Sequence, residues 1–183
     1  LRGWRFPLLV VLWLIPATLV WIGATDFLNV FLRINAEHLL HLGESPNVSR
    51  LYPAPQDDNY IFIERADFSP ARARVASVRV TDVHFPLVLL LALFLAVPGI
   101  SWKERLKALG WALLVTVLFD IVLLYFWVQF YYAEQYGPLG RNVFGLGKHL
   151  LDLPFKLGLP LALFVVFHFR RLVPTGADRP DPP

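Results

Sequence analysis

Asp120 is the side chain best placed to do chemistry, because within the helix expected over 102–132 it is the only charged residue beyond Lys107. An ionisable group at such a depth in a membrane helix is functional or paired by default. It lies about 13 residues from Lys107, or roughly 20 Å along a helix. The same depth counted back from Arg170 in an antiparallel helix reaches Leu157, beside Lys156; from Arg5 it reaches Thr18. An intramembrane pair of Asp120 with Lys156, with Thr18 as a hydroxyl partner, is the expected structural use. Proton or ion handling would call for a relay of further acids. An enzyme acting on lipid-linked substrate would draw on Asp120, Glu134 and Arg141.

Glu37, His38 and His41 set a carboxylate and two imidazoles on one helix face. A zinc site would need a further ligand, which only Glu44 or His84 offers, so a solvated interfacial helix is expected and no metal. His149 and His168 share one apolar helix and are the candidates for haem or pigment ligation; interfacial hydrogen bonding is the plainer role. Arg141-Asn142 could meet a lipid headgroup or an acidic partner. Asn47-Val-Ser is a glycosylation sequon by pattern alone.

The chain has no cysteine, which removes thiol catalysis, disulfides and thiolate metal sites. A Gly-rich phosphate loop, Gly-x-Ser-x-Gly, His-Glu-x-x-His and paired carboxylates on one helix are absent from the sequence as well. No catalytic residue is therefore assigned, and the expectation is a protein that is not an enzyme.

The elements that must position these residues are apolar helices. Of 183 residues, 56% are hydrophobic and only 17% charged, outside the usual soluble range. Fifteen Phe, six Trp and six Tyr suit interfacial aromatic belts. The net charge of +3 arises from basic residues beside apolar runs, which points to membrane orientation and not to nucleic acid.

A spanning helix needs about 20 apolar residues. The first span is expected over 6–32, within a segment 1–33, opened by Pro7 and kinked at Pro16, and uncleaved. The others are expected at about 85–100, 102–132 and 146–170. Pro98-Gly99 marks a turn, and Ser101-Trp-Lys-Glu104 is a capping-box pattern. Residues 172–183, rich in Pro and Asp, form a tail.

Arg2 and Arg5, then Lys103, Arg105 and Lys107, then Arg170 and Arg171 all fall on one side of a four-span layout, as the positive-inside rule requires. Both termini are then cytoplasmic, and residues 34–84 lie outside. Within 34–84, residues 35–42 read as a continuing or flat-lying helix, and Pro46, Pro53 and Pro55 break the chain. Residues 60–64 and 74–82 have strand character, predicting a small hairpin or three-stranded sheet. Such a sheet is too small to stand alone. The fold class expected is an all-α integral membrane protein, four transmembrane helices with a small extracytoplasmic α+β insert between the first two.

The order of parts resembles the small bacterial inner-membrane proteins associated with exosortase H. The most similar stretch is Val83-His-Phe-Pro-Leu-Val-Leu-Leu-Leu-Ala-Leu-Phe-Leu-Ala-Val-Pro98, followed by Trp102-Lys-Glu-Arg-Leu, with a Leu-Pro-Leu step at 159–161. The resemblance implies a partner of a sorting transpeptidase, with no catalysis by this chain. It carries over no site residues.

The functional expectation is a non-catalytic accessory subunit, binding a larger integral membrane protein in a bacterial inner membrane, residues 34–84 being periplasmic. A subunit of a photosynthetic or respiratory complex is the alternative to a sorting system. Trp13, Trp21, Trp111 and Trp127 would then supply aromatic faces toward pigment or lipid. No cofactor is required; bound lipid or pigment is compatible with the pattern.

Overall fold

A run of apolar residues without a helix breaker other than Pro16 gives one helix of 39 residues, α1 (Arg5–Gly43). In the computed structural model it is continuous, about 58 Å long at 1.5 Å per residue. The structure describes residues 5–44, 47–55, 57–67, 76–133 and 137–172. Three strands follow, β1 (Ser49–Ala54), β2 (Asp57–Arg65) and β3 (Ala76–Arg79), in an antiparallel sheet of order β1-β2-β3. Then come α2 (Val80–His84), α3 (Leu87–Ala96), α4 (Trp102–Tyr131), α5 (Gly137–Leu150), a π-helical turn (Leu151–Phe155) and α6 (Lys156–Leu172).

Three helical stretches are long and apolar enough to cross a bilayer: Arg5–Gly43, Trp102–Tyr131 and Gly137–His168. The expected second span is shorter. Val80–Ala96 would measure about 25 Å even if continuous, against a hydrocarbon core of about 30 Å, and the Phe85-Pro86 step divides it. Pro98 ends it by forcing Val97 into extended backbone (ψ 116°). Gly99 turns the chain with a positive φ of 74°. Ser101 then caps α4, its Oγ accepting from the Glu104 N–H at 3.4 Å, as the capping pattern predicts.

Arg105 closes this end of the molecule. Its guanidinium donates to the carbonyls of Leu95 (2.8 Å) and Val97 (2.6 Å). These are groups at the C-terminus of α3, where a cation also opposes the helix dipole.

Among the described residues the two larger apolar clusters lie at the sheet end and around α3, with a small third one at Ala17, Val88 and Ala92. At the sheet end, Leu51, Ile61, Ile63 and Val78 pack on Leu32, Ala36 and Leu40 of α1 and on Leu123, Leu124 and Val128 of α4. The period-2 burial of Ile61, Ile63 and Arg65 puts one face of β2 inward. The other core surrounds α3, where Leu87, Leu90, Leu93 and Phe94 meet Leu109 and Ala112 of α4 and Phe164 of α6.

Three boundaries differ from the sequence-based expectation. β1 runs through Pro53, because an edge strand tolerates a missing N–H and the register shifts at Pro53/Ala54. The strand expected to reach residue 82 stops at Arg79, and Val80 begins a helix that buries Val80 and Val83. The link expected at 134–142 is helical from Gly137, so Arg141 and Asn142 sit exposed on α5.

Candidate functional site: polar groups at the sheet end

The C-terminal half of α1 carries Arg33, Glu37 and His41 at spacings of four, a single helix face, and Glu44 follows just past the helix end. That face lies along β1, the edge strand, whose outward backbone groups would otherwise be unpaired. Arg33 donates to the Leu51 carbonyl at 3.1 Å, and Glu37 accepts from the Leu51 N–H at 3.0 Å. The His41 Nε2–H donates to the Ser49 carbonyl at 2.7 Å. Glu44 accepts from the N–H groups of Val48 (3.0 Å) and Ser49 (2.9 Å) and from the Ser49 hydroxyl. The helix thus stands in for a fourth strand.

These contacts redefine the metal candidates. Glu37 and His41 are engaged with strand backbone, and His38 is exposed. His84, the proposed further ligand, lies elsewhere, fully buried at the end of α2 against α1. The Trp21 Nε1–H donates to His84 Nδ1 at 2.9 Å, so Nε2 carries the ring proton and donates to Asn29 Oδ1, also at 2.9 Å. Asn29 in turn donates to the Asp58 carbonyl at 3.2 Å. One chain of hydrogen bonds joins α1, α2 and β2.

A second polar linkage ties the sheet to α4. Arg65 is buried and holds Asp67 with two bonds, 3.0 and 2.7 Å, with Glu44 at 3.8 Å and the Tyr132 ring at 5.2 Å. The Tyr132 hydroxyl donates to the Ile63 carbonyl at 3.2 Å. The Arg65 guanidinium holds the Asp67 carboxyl below the ordinary carboxylate range.

Asp120 is 2% exposed, and its Oδ2 has no hydrogen-bond partner among the described residues. The direct pair expected with Lys156 does not form. Lys156 closes on Asp152 instead, Nζ to Oδ1 at 2.7 Å, an i, i+4 pair within its own helix. Thr18 likewise turns back to the Leu14 carbonyl at 2.7 Å. Both exchanges have one cause: a local partner four residues away is reached without bridging between helices.

Lys156 and Asp152 border a cavity of about 300 Å³ between β3, α4 and the π-helical turn. Arg79, Asp82, Trp127 and Tyr131 complete its polar and aromatic lining. The turn exists because Pro154 has no N–H to give to an α-helical ladder. The Lys156 N–H reaches back to the Leu151 carbonyl, an i, i+5 step.

His149 is exposed on α5, edge-on to Phe130 with centroids 6.1 Å apart. His168 is buried, its Nδ1–H donating to the Phe164 carbonyl at 3.0 Å and its ring packed against Phe164 (4.9 Å) and Phe94 (5.2 Å). Trp111 faces outward as a membrane aromatic would, whereas Trp21 turns inward to His84. Glu134 lies outside the described residues.

No family model, curated protein or solved structure matches this chain.

Proposed function

We propose that the chain is a multi-pass protein of a bacterial inner membrane that serves as a non-catalytic accessory subunit of a larger integral membrane protein. In this reading both termini are cytoplasmic and residues 34–84 are periplasmic. The observation that carries it is the fastening of the sheet. Arg33, Glu37 and His41 bind strand backbone from α1, and Tyr132 binds it from the end of α4. A small sheet is thereby held at a set height above two helices of spanning length, the construction expected of a docking headpiece.

The apolar sides of α1 and α6 support membrane placement. Leu8, Leu12, Ile15 and Leu19 of α1 and Leu157, Leu161 and Val165 of α6 are exposed on the chain. Large apolar surfaces of this kind mark contact with lipid or another subunit. The basic flanks at Lys103, Arg105 and Lys107 set the orientation. A protein-sorting system and a photosynthetic or respiratory complex both supply partners of the required kind.

The test is gentle detergent purification of the tagged protein, then mass spectrometry and an absorption spectrum of what accompanies it. A stoichiometric larger membrane protein is the expected result, and its identity and colour separate the two settings. Recovery of a colourless, monodisperse chain with lipid alone would overturn the accessory reading.

A second reading, a lipid-handling enzyme, draws on the orphaned Oδ2 of Asp120. Asp120→Asn separates the two. Loosened assembly fits a group completed by a partner; intact assembly with loss of a measurable turnover fits the enzyme.

A further inference from the structure

The geometry points to the cavity between β3, α4 and the π-helical turn as a binding site for the phosphoethanolamine headgroup of a membrane phospholipid. The site is about 300 Å³, at the small end of the range for ligand pockets, and its charges cancel. Arg79 and Lys156 are cations, and Asp82 and Asp152 are anions. A ligand of one sign would gain from one pair of residues and lose to the other. An ammonium joined to a phosphate satisfies both.

Each half has donors or acceptors to spare. The Lys156 ammonium has three donors, and its bond to Asp152 uses one. Arg79 meets Asp82 only through Nε at 3.7 Å, which leaves its remaining N–H groups for phosphate oxygens. The two carboxylates accept from a primary ammonium. The Lys156 and Asp152 side chains are only 17% and 23% exposed, so a ligand there meets charges that water screens weakly. Trp127 is fixed beside them by Lys148, whose Nζ sits 3.8 Å from the ring centroid.

The source of the headgroup follows from the neighbouring residues. Leu153, Phe155 and Leu157 alternate with or flank Asp152 and Lys156 and are exposed. They offer acyl chains an apolar surface directly beside the charged groups. Trp127 and Tyr131 are residue types that favour the headgroup level. A soluble phosphoester would have no use for that apolar border.

The test is native mass spectrometry of the full chain in detergent with equal amounts of phosphatidylethanolamine, phosphatidylglycerol and phosphatidylcholine. Retention of phosphatidylethanolamine should exceed that of each of the others by about tenfold, equivalent to about 1.4 kcal/mol. Asp152→Asn and Asp82→Asn should each erase that preference, whereas Arg79→Gln should lower retention of all three lipids, which share the phosphate. Arg79 and Asp82 are more than half exposed, so their variants keep the fold if Asp152→Asn does not.

Preference for phosphatidylglycerol would overturn the proposal in favour of simple anion attraction. Equal retention of phosphatidylcholine would overturn it too, since a quaternary ammonium has no N–H to donate to the carboxylates. Unchanged retention of phosphatidylethanolamine in Arg79→Gln, or an unchanged preference in Asp82→Asn, would put the lipid elsewhere. Displacement by millimolar soluble phosphoethanolamine would reassign the site to a soluble ligand.

Discussion

Trp21 and His84, 63 positions apart in the chain, are joined by a hydrogen bond of 2.9 Å from the indole N–H to the imidazole Nδ1. Because Nδ1 accepts, the ring is the neutral Nε2–H tautomer, and its proton goes to Asn29. Nitrogen-15 NMR of His84 should show one protonated and one unprotonated ring nitrogen at neutral pH. Two protonated nitrogens would refute the arrangement. Replacing His84 with Phe strands the Trp21 N–H and the Asn29 carbonyl oxygen. At about 1–3 kcal/mol for each buried unsatisfied group, a loss of at least about 2 kcal/mol should appear in detergent unfolding.

Glu37 and Arg33 hold the two backbone groups of Leu51 from one side. Glu37→Ala should raise the hydrogen-exchange rate of the Leu51 amide, with a local loss of about 1–2 kcal/mol. Amides of β2, bonded on both sides, should change far less. Equal loosening of both strands would mean that α1 does not act as the edge partner.

The Arg65–Asp67 pair makes stability depend on acid. The folded-state pKa of Asp67 is lowered, so its contribution is fully present above the unfolded carboxylate value of about 4. It is lost as pH falls through the folded value. Unfolding of the wild type followed downward from pH 6 should therefore show a fall that Asp67→Asn reduces. The side chain is about a third exposed, and raised salt should shrink the effect. An identical pH profile in the variant would remove Asp67 from the account.

Gly145 and Gly147 give opposite expectations two residues apart on α5. A Cβ at Gly147 would stand 2.5 Å from the Phe126 ring, whereas one at Gly145 would make an ordinary contact at 3.5 Å with Phe130. Gly147→Ala should destabilise by about 1–3 kcal/mol through overpacking. Gly145→Ala should be neutral or gain up to about 1 kcal/mol from helix propensity. Thermal unfolding of the two variants side by side decides it; a tolerated Gly147→Ala would show that Phe126 yields freely.

Apolar length and turn chemistry were legible without coordinates, since they act locally. α1, α4, the Pro98-Gly99 turn and the Ser101 cap all follow from residues within a few positions of one another. β1 was obscured because Pro53 resembles a breaker, and only edge position and a register shift accommodate it. The polar contacts were legible only in part: Lys156 lies within electrostatic reach of Asp120 but bonds to Asp152. Matching Asp120 to Lys156 by height ignored the closer competitor Asp152, visible four residues away in the same helix. The Trp21–His84–Asn29 chain had no signal in spacing, because it depends on how α2 folds back onto α1. Glu37 and His41 were legible as sharing a helix face, but grouped with His38 and not with Arg33, because their partner is strand backbone, which leaves no trace in residue types.

The π-helical turn also acts as a phase shifter. One extra residue in a helix of 3.6 residues per turn rotates everything beyond it by about 100°. Before the turn, the helix shows its glycines to Phe126 and Phe130 of α4; after it, Phe164 and His168 meet Phe94 of α3. A continuous rod could not address both neighbours from the same stripe. Pro154 lets one segment serve two partners by turning between them, much as a key is cut differently along its length.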